Sequence, residues 1–382
     1  MSRLRVAVVG AGHLGRIHAR LLAEIPAVEL VGVVDPVPAA RERVAADCHT
    51  TPYADHHELL ARVDAATIVT PTRYHHGVAL DFLRAGKPLL IEKPLAADLA
   101  EADELVLTAQ RHGALLQVGH IERFNPAFAA AAAHVVRPRY IEAVRASTYT
   151  GRSTDIGVVY DLMIHDIDLV LSLVDSPLVE AQAIGLALLG RHEDVAQARL
   201  QFANGAVANL SASRVSYTTA PRRQMNIWHE HGYAGIDFGT RCAHHVTPCE
   251  AVQERTFDYN GLSAEEKATF KDRLHTEILR VEPLDVETRN ALADELADFA
   301  ASVREQREPR VTGAQGRQAV AVAEAILQSI RTHQWEGSAA GPVGPLATPG
   351  PAILRGPHWH AAAPSPHPSQ PQPSQPQRRE AG

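Results

Sequence analysis

No apolar run in this chain approaches the roughly 18 residues that a membrane-crossing helix needs. The first such run, Leu4–Val9, reads as a strand rather than as the core of a secretory leader. Cysteine is scarce. Cys48, Cys242 and Cys249 make no framework of paired spacings, which points to reduced thiols in a cytoplasmic protein. Positive charge is not in excess, with 37 Lys and Arg against 44 Asp and Glu and a formal net charge of −7, so a general nucleic-acid surface is excluded. What is present, 45% apolar and 21% charged residues over 382 positions, suits a soluble globular protein with two sizeable cores and a tail.

The first third alternates short apolar runs, at residues 4–9, 30–34, 65–69, 89–91 and 115–118, with helical patterns at 13–25, 38–46, 74–85 and 98–112. Asp98 is placed to cap the last of these helices, with Glu101 as its capping-box partner. Strand–helix alternation of this kind means crossovers and a parallel sheet, an α/β doubly wound Rossmann domain over residues 1–121. From residue 122 to 335 the pattern becomes α+β, with an open and mostly antiparallel sheet. A strand-like stretch at 140–149 precedes an apolar helical segment at 159–174. A hairpin follows, 195–202 and 207–214 about Asn204-Gly205, then a strand pair at 224–229 and 234–238 divided by Gly232. One face of such a sheet needs cover, from a substrate pocket or a second subunit. Helical patterns at 292–305 and 318–332 end the folded part and are able to pack back on the first domain. Residues 336–382, rich in Pro, Ser and Gln, predict a disordered tail, and His358, His360 and His367 within it lack partners at metal-ligand spacing.

The run at residues 4–9 ends in Gly10-Ala11-Gly12-His13-Leu14-Gly15, a strand breaking into a glycine turn that opens a helix. The first glycine makes the turn, the second admits a pyrophosphate, and the third lets helix and strand approach. The helix amino terminus then offers unpaired N–H groups to the phosphates. Asp35 ends the next strand, 20 residues beyond Gly15, where a carboxylate takes the adenosine ribose hydroxyls. Thr70-Pro71 and His75 leave the same sheet edge and are placed to wrap the nicotinamide ribose or its amide, and Glu92-Lys93-Pro94 closes the 89–91 strand at that edge.

Asp161, His165 and Asp168 share one face of the apolar helix at 159–174. A core histidine bonded to its own carboxylate is the plain reading of His165 alone, and a surface lysine that of Lys93 alone. Together they suit alcohol oxidation. A histidine with a reference pKa near 6.5 accepts the hydroxyl proton, a lysine cation stabilises the alkoxide, and Asp161 orients the imidazole. The segment joining the domains, Gly119-His120-Ile121-Glu122-Arg123-Phe124-Asn125-Pro126, reads either as an ion-paired linker or as cleft lining. In the second reading His120, Arg123 and Asn125 meet substrate, Arg123 being suited to an anion or sugar hydroxyl. No metal site is expected. His229-Glu230-His231 is too tightly spaced for a helical zinc motif, and His244-His245 with Cys249 lacks a fourth ligand.

In combination these motifs resemble the glucose–fructose oxidoreductase, inositol dehydrogenase and rhizopine-catabolism family (Gfo/Idh/MocA). The resemblance rests on Gly10-x-Gly12-x-x-Gly15-x-x-His18, Thr70-Pro71 with His75, Glu92-Lys93-Pro94 and Asp161-x-x-x-His165-Asp166, and covers residues 3 to 333. It implies an NAD(P)-dependent dehydrogenase of sugars, cyclitols or their nucleotide conjugates, with Lys93, Asp161 and His165 catalytic. His13, Leu14 and Glu92 would join the glycines, Asp35, Thr70, Pro71, His75 and Lys93 around the cofactor. Asp35 leans the cofactor to NAD over NADP, because a carboxylate repels a 2′-phosphate. A homodimer or homotetramer built on the open sheet is implied as well. The 119–127 segment resembles that of members oxidising C3 of UDP-N-acetylglucosamine, with inositol or simple sugar dehydrogenases as the alternative. A non-catalytic NAD-sensing regulator of the same fold is the alternative from another class; the presence of Lys93, Asp161 and His165 favours catalysis.

Overall fold

Short Val-, Ala- and Ile-rich runs buried on both faces build the first sheet. The computed structural model describes residues 2–151, 156–189, 191–217, 220–335 and 343–347. Strands β1 (Leu4–Val9), β2 (Val28–Val34), β3 (Thr51–Tyr53), β4 (Ala65–Ile68), β5 (Leu89–Glu92) and β6 (Leu116–Gly119) lie in the order β3-β2-β1-β4-β5-β6, all parallel. Helices α1 (His13–Glu24), α2 (Pro38–Asp47), α3 (His75–Arg84) and α4 (Leu99–His112) are the crossovers. The short edge strand β3 has no counterpart among the apolar runs, because Thr51-Pro52-Tyr53 is too short and too polar to announce itself. Asp98 caps α4 by accepting from the Glu101 N–H at 2.9 Å. Glu101, however, accepts from the N–H of Ala97 rather than that of Asp98, so the expected capping box is displaced by one residue.

The second domain opens with α5 (Pro126–Ala132) and β7 (Tyr140–Ala146). It continues through α6 (Ile164–Val174), β8 (Leu178–Ala187), β9 (Val195–Phe202), β10 (Val207–Ser213), β11 (Arg222–His229), β12 (Gly232–Asp237), β13 (Cys242–Pro248), α7 (Glu250–Gln253), α8 (Ala264–Arg273) and β14 (Leu279–Pro283). Eight strands of its sheet run β14-β13-β12-β11-β7-β10-β9-β8, antiparallel except where β7 pairs β10, and a short ninth adds in parallel beyond β8. At the β9–β10 hairpin Gly205 takes φ +82°, and the Asn204 side chain accepts from the Ala206 N–H. Alternation along the strands turns Ala198, Leu200, Ala208, Leu210, Met225 and Ile227 into the core, which α6 closes with Ile167, Val170 and Val174. Gln197, Arg199, Asn209 and Asn226 alternate with these on the other face. The helical segment expected over 159–174 is one turn of π-helix, Val159–Met163, followed by α6.

The last two helices, α9 (Ala291–Glu305) and α10 (Gly313–Thr332), return to the first sheet and cover opposite faces. Leu292, Leu296 and Phe299 of α9 join Leu21, Val8 and Leu90, while Val320 and Ala323 of α10 join the core shared with α4 and α6. Gly316 permits this, since a Cβ there would stand 2.4 Å from a Val118 methyl on β6. The expected tail needs one correction. Val343 bridges Gln334, and β15 (Leu346–Ala347) pairs with β8, because backbone groups there complete the edge of the second sheet. The rest of residues 336–382 lies outside the described residues.

Candidate active site

The glycine turn is built as its spacing requires. Gly10 holds φ +108°, and a Cβ there would lie 2.7 Å from the Val69 carbonyl oxygen. A Cβ on Gly15 would lie 1.8 Å from the Gly10 oxygen, so only glycine lets α1 start this close to β1. Gly12 precedes α1 with nothing within 4 Å of its Cβ position. This open cradle, with exposed His13 and half-buried Leu14 following, fits a pyrophosphate at the helix amino terminus. Asp35 braces the turn: one oxygen accepts from the Ala11 N–H at 2.8 Å and the other from the Val37 N–H at 2.9 Å.

His75 lies between the loops leaving β4 and β5. Its Nε2 lies 2.8 Å from the Thr70 carbonyl and its Nδ1 2.9 Å from the Pro94 carbonyl. Both ring nitrogens therefore face backbone carbonyls; the neutral ring donates its one N–H to one of them and packs against the other, and so sits between the Thr70-Pro71 loop and the lysine loop. Burial lowers its pKa below the ordinary histidine value. Glu92 ends β5 buried, with Oε1 3.0 Å from His18 Nε2 and Oε2 accepting from the Lys93 N–H at 3.2 Å. His18 thus reaches the reacting edge from α1 and fixes the backbone that carries Lys93. Beside Glu92, Gly119 of β6 leaves room that a Cβ would fill at 3.0 Å from the carboxyl carbon.

Lys93 crosses to the second domain. Its Nζ donates to the Asp161 carbonyl at 2.6 Å and lies 3.4 Å from Asp161 Oδ1. The widened π-turn at Val159–Met163 presents that carbonyl, as such turns often do at functional sites. Sequence spacing assigned Asp161 to the imidazole of His165. The structure gives its carboxylate to Lys93 instead, at 3.4 Å. His165 stands on the first turn of α6 with Nδ1 unpartnered among the described residues. Burial, then the charge of Lys93, lower its pKa well below the ordinary value, so the imidazole is neutral at pH 7. His120, directly after β6, is fully buried, with neither ring nitrogen partnered among the described residues. Burial lowers its pKa also.

Arg123 is held to Asp168 of α6 by one long contact of 3.4 Å. Asn125 is committed to the fold: its carbonyl accepts from the Ala127 N–H to cap α5, and its amide donates to Glu122. A cavity of about 250 Å³ lined by Thr72, Arg73, Pro94, Ala97, Ile156 and Tyr160 adjoins the lysine loop, with the Tyr160 hydroxyl unpartnered among the described residues.

Two buried features have no place in the sequence reading. Arg145 of β7 donates to Asp166 at 2.8 Å and to Glu122 at 2.9 Å, tying the hinge to α6. Burial opposes its charge, but Asp166 and then Glu122 outweigh it and hold the guanidinium proton more firmly than water does. Glu295 of α9 is fully buried with both oxygens unpartnered among the described residues. Burial, then the neighbouring charge of Glu92, raises its pKa well above the carboxylate range. The signal for each was a charge at a core-facing position, Arg145 after Ile141 and Ala143, and Glu295 beside Leu292 and Leu296. The histidine pairs set aside as metal decoys meet each other, His229 Nε2 lying 3.2 Å from His245 Nε2, while Cys249 precedes α7. His229 Nδ1 accepts from the Val136 and His231 N–H groups, which puts its ring proton on Nε2 and leaves no lone pair there for a metal.

Two family models match the chain. The oxidoreductase family's NAD-binding Rossmann fold covers residues 4–120, and its C-terminal alpha/beta domain covers residues 142–336. A UDP-N-acetylglucosamine 3-dehydrogenase from Acidithiobacillus ferrooxidans is 37% identical over 86% of this chain and 98% of its own length. A scyllo-inositol 2-dehydrogenase (NAD(+)) from Bacillus subtilis is 30% identical over 81% of this chain and 89% of its own. The solved structure of the Acidithiobacillus enzyme superposes with a TM-score of 0.74 at 36% identity, covering 86% of this chain and 98% of that one. The WlbA dehydrogenase from Bordetella pertussis, in complex with NADH and UDP-GlcNAcA, shares the fold at 20% identity and a TM-score of 0.71, over 86% of this chain and 95% of that one.

Proposed function

This chain belongs to the Gfo/Idh/MocA oxidoreductase family as an NAD-dependent dehydrogenase of CH–OH groups, and we propose that it oxidises C3 of a UDP-N-acetylhexosamine. When bound, NAD supplies the two-electron acceptor. Gly10, Gly12, Gly15 and the first turn of α1, with His13 and Leu14, would hold its pyrophosphate, and Asp35 the adenosine ribose. Thr70, Pro71, Glu92 and Lys93 would flank its nicotinamide half, with His75 between the two loops.

His165, neutral at pH 7, takes the proton of the substrate hydroxyl at the nitrogen opposite Nδ1 or through Nδ1 itself. Lys93, steadied by Asp161, stabilises the alkoxide. His120 and Arg123 meet the rest of the substrate, Arg123 because its one side-chain contact among the described residues, at 3.4 Å, leaves most of its donors for an anion or sugar hydroxyl. Asn125 supports that segment as the α5 cap.

The observation that carries the nucleotide-sugar reading is the 37% identity to a UDP-N-acetylglucosamine 3-dehydrogenase across almost its whole length. The second reading, an inositol or simple sugar dehydrogenase, is favoured by the 30% identity to the scyllo-inositol enzyme. Purified protein with NAD and a panel of UDP-N-acetylhexosamines, inositols and simple sugars decides between them by absorbance at the NADH band. Turnover of the UDP-sugars alone is expected. Turnover of cyclitols alone overturns the proposal, and NAD binding without turnover of any CH–OH substrate overturns catalysis itself. The assembly we propose is a cytoplasmic homodimer or homotetramer, joined through the exposed face of the second sheet. Tyr140, Trp228 and Tyr233 pack there with ring centroids about 5 Å apart.

A further inference from the structure

Away from the cleft, four side chains from two elements of the Rossmann domain converge. Asp55 precedes the short 3-10 turn His56–Leu59 and caps it, its Oδ1 accepting from the His57 N–H at 3.0 Å. The rings of His56 and His57 lie 4.2 Å apart between centroids. Asp81 of α3 faces the Nε2 of both, at 2.9 Å from His56 and 3.3 Å from His57. The Nδ1 atoms face Asp55 Oδ1, at 3.5 Å from His56 and 2.6 Å from His57. His56 is mostly buried and packs on Phe82.

We propose that Asp55, His56 and His57 bind a divalent ion of borderline softness, zinc foremost, and that Asp81 is the outer carboxylate orienting both imidazoles. A neutral imidazole carries one N–H. Without an ion His57 Nδ1–H donates to Asp55 at 2.6 Å and His56 Nε2–H to Asp81 at 2.9 Å; an entering cation displaces the His57 Nδ1 proton, and the ring then keeps its one N–H on Nε2, facing Asp81 at 3.3 Å. A carboxylate behind a metal-bound histidine is the usual support of such sites, and here one carboxylate serves two rings. One ligand atom from each of Asp55, His56 and His57 lies within 4.8 Å of the others. Two ligands bonded at ~2.0–2.1 Å in a tetrahedron stand ~3.4 Å apart. The closure needed is within reach of a rotation of His57, whose side chain is 58% exposed. Two nitrogens and one oxygen, with water in the remaining position, suit zinc, cobalt or nickel over magnesium or calcium, which prefer oxygen alone. The ion would tie the turn after β3 to α3 and act as a structural clamp.

The full-length chain, stripped with chelator and titrated with Co²⁺, tests this. One equivalent of tetrahedral Co²⁺ with visible d–d absorption is expected, and added Zn²⁺ should displace it and raise the melting temperature. Asp55→Ala and His57→Ala abolish both signals. Asp81→Asn keeps every ligand and weakens binding ~10–100-fold. NAD-dependent turnover, in which none of these residues takes part, reports that each variant is folded. Absence of the Co²⁺ bands and of the Zn²⁺ stabilisation in the parent protein overturns the proposal and leaves ion pairs only. Metal binding undiminished in a His56→Ala/His57→Ala double variant also overturns it, placing the ion elsewhere, with the histidines at 358, 360 and 367 the first to examine.

Discussion

Lys93 and His165 come from different domains, and the charge of the first lowers the basicity of the second. Among neighbouring charges Lys93 weighs most in lowering the His165 pKa, after burial itself. The sign follows: a folded pKa below 6.5 keeps the imidazole neutral through pH 7, and any loss of activity from its protonation falls on the acid side of the ordinary histidine range. In Lys93→Met the His165 resonance, followed by NMR against pH, should titrate at higher pH than in the parent protein. Unchanged titration would separate the two groups and remove the shared role. Lys93→Met and His165→Ala should each lower turnover ~10²–10⁴-fold while NAD binding stays near the parent value. Loss of NAD binding in both would mean that neither residue is catalytic. Both residues were legible in the sequence, through Glu92-Lys93-Pro94 and the spacing of Asp161 and His165. The partner of Asp161 was not, because helical spacing says nothing of a cation arriving from 68 residues earlier.

At the scale of the element, the three glycines of the first turn do separable work. Gly15 is required by packing, whereas Gly12 borders open space that we propose the cofactor pyrophosphate fills. Gly12→Ala should therefore keep the parent melting temperature, since its φ is −68° and nothing stands within 4 Å, yet weaken NAD binding in a calorimetric titration. Gly15→Ala should fail to give folded protein, because its Cβ would overlap the Gly10 carbonyl. Equal affinity for NAD in Gly12→Ala would show that the pyrophosphate does not rest there. Elements with strong periodicity were legible to within a residue or two: β1, β9, β10, α4 and α9 all lie where apolar spacing puts them. The π-turn at Val159–Met163 was not, since its apolar pattern is the same as that of the α-helix it leads into. Short or polar strands such as β3 and β14 were equally silent, being defined by their partners.

At the scale of the whole molecule, a nine-stranded sheet with an exposed face is joined to a six-stranded sheet wrapped on both sides by helices, α9 and α10 among them. If the exposed face is the subunit contact, Trp228→Asp, substituted at a residue that is 37% exposed, should shift the mass seen by light scattering toward a monomer without lowering the melting temperature by more than about 1 kcal/mol of stability would. A parent protein that is already monomeric, or a variant of unchanged mass, would exclude this face. The sequence by itself determined the Rossmann half, the glycine turn with Asp35 and the family, and it supplied Lys93, Asp161 and His165 as the proposed reacting trio, because all of these are written in short-range spacing. Tertiary structure alone decided that Asp161 serves Lys93, that His18 reaches Glu92 and that Arg145 locks the hinge to α6. It also decided that Glu295 lies buried behind the site and that residues 343–347 close a sheet edge. The physical reason is the same throughout: periodicity reports which face of an element is buried, but a charged side chain chooses its partner by distance and desolvation, and only the folded chain sets those.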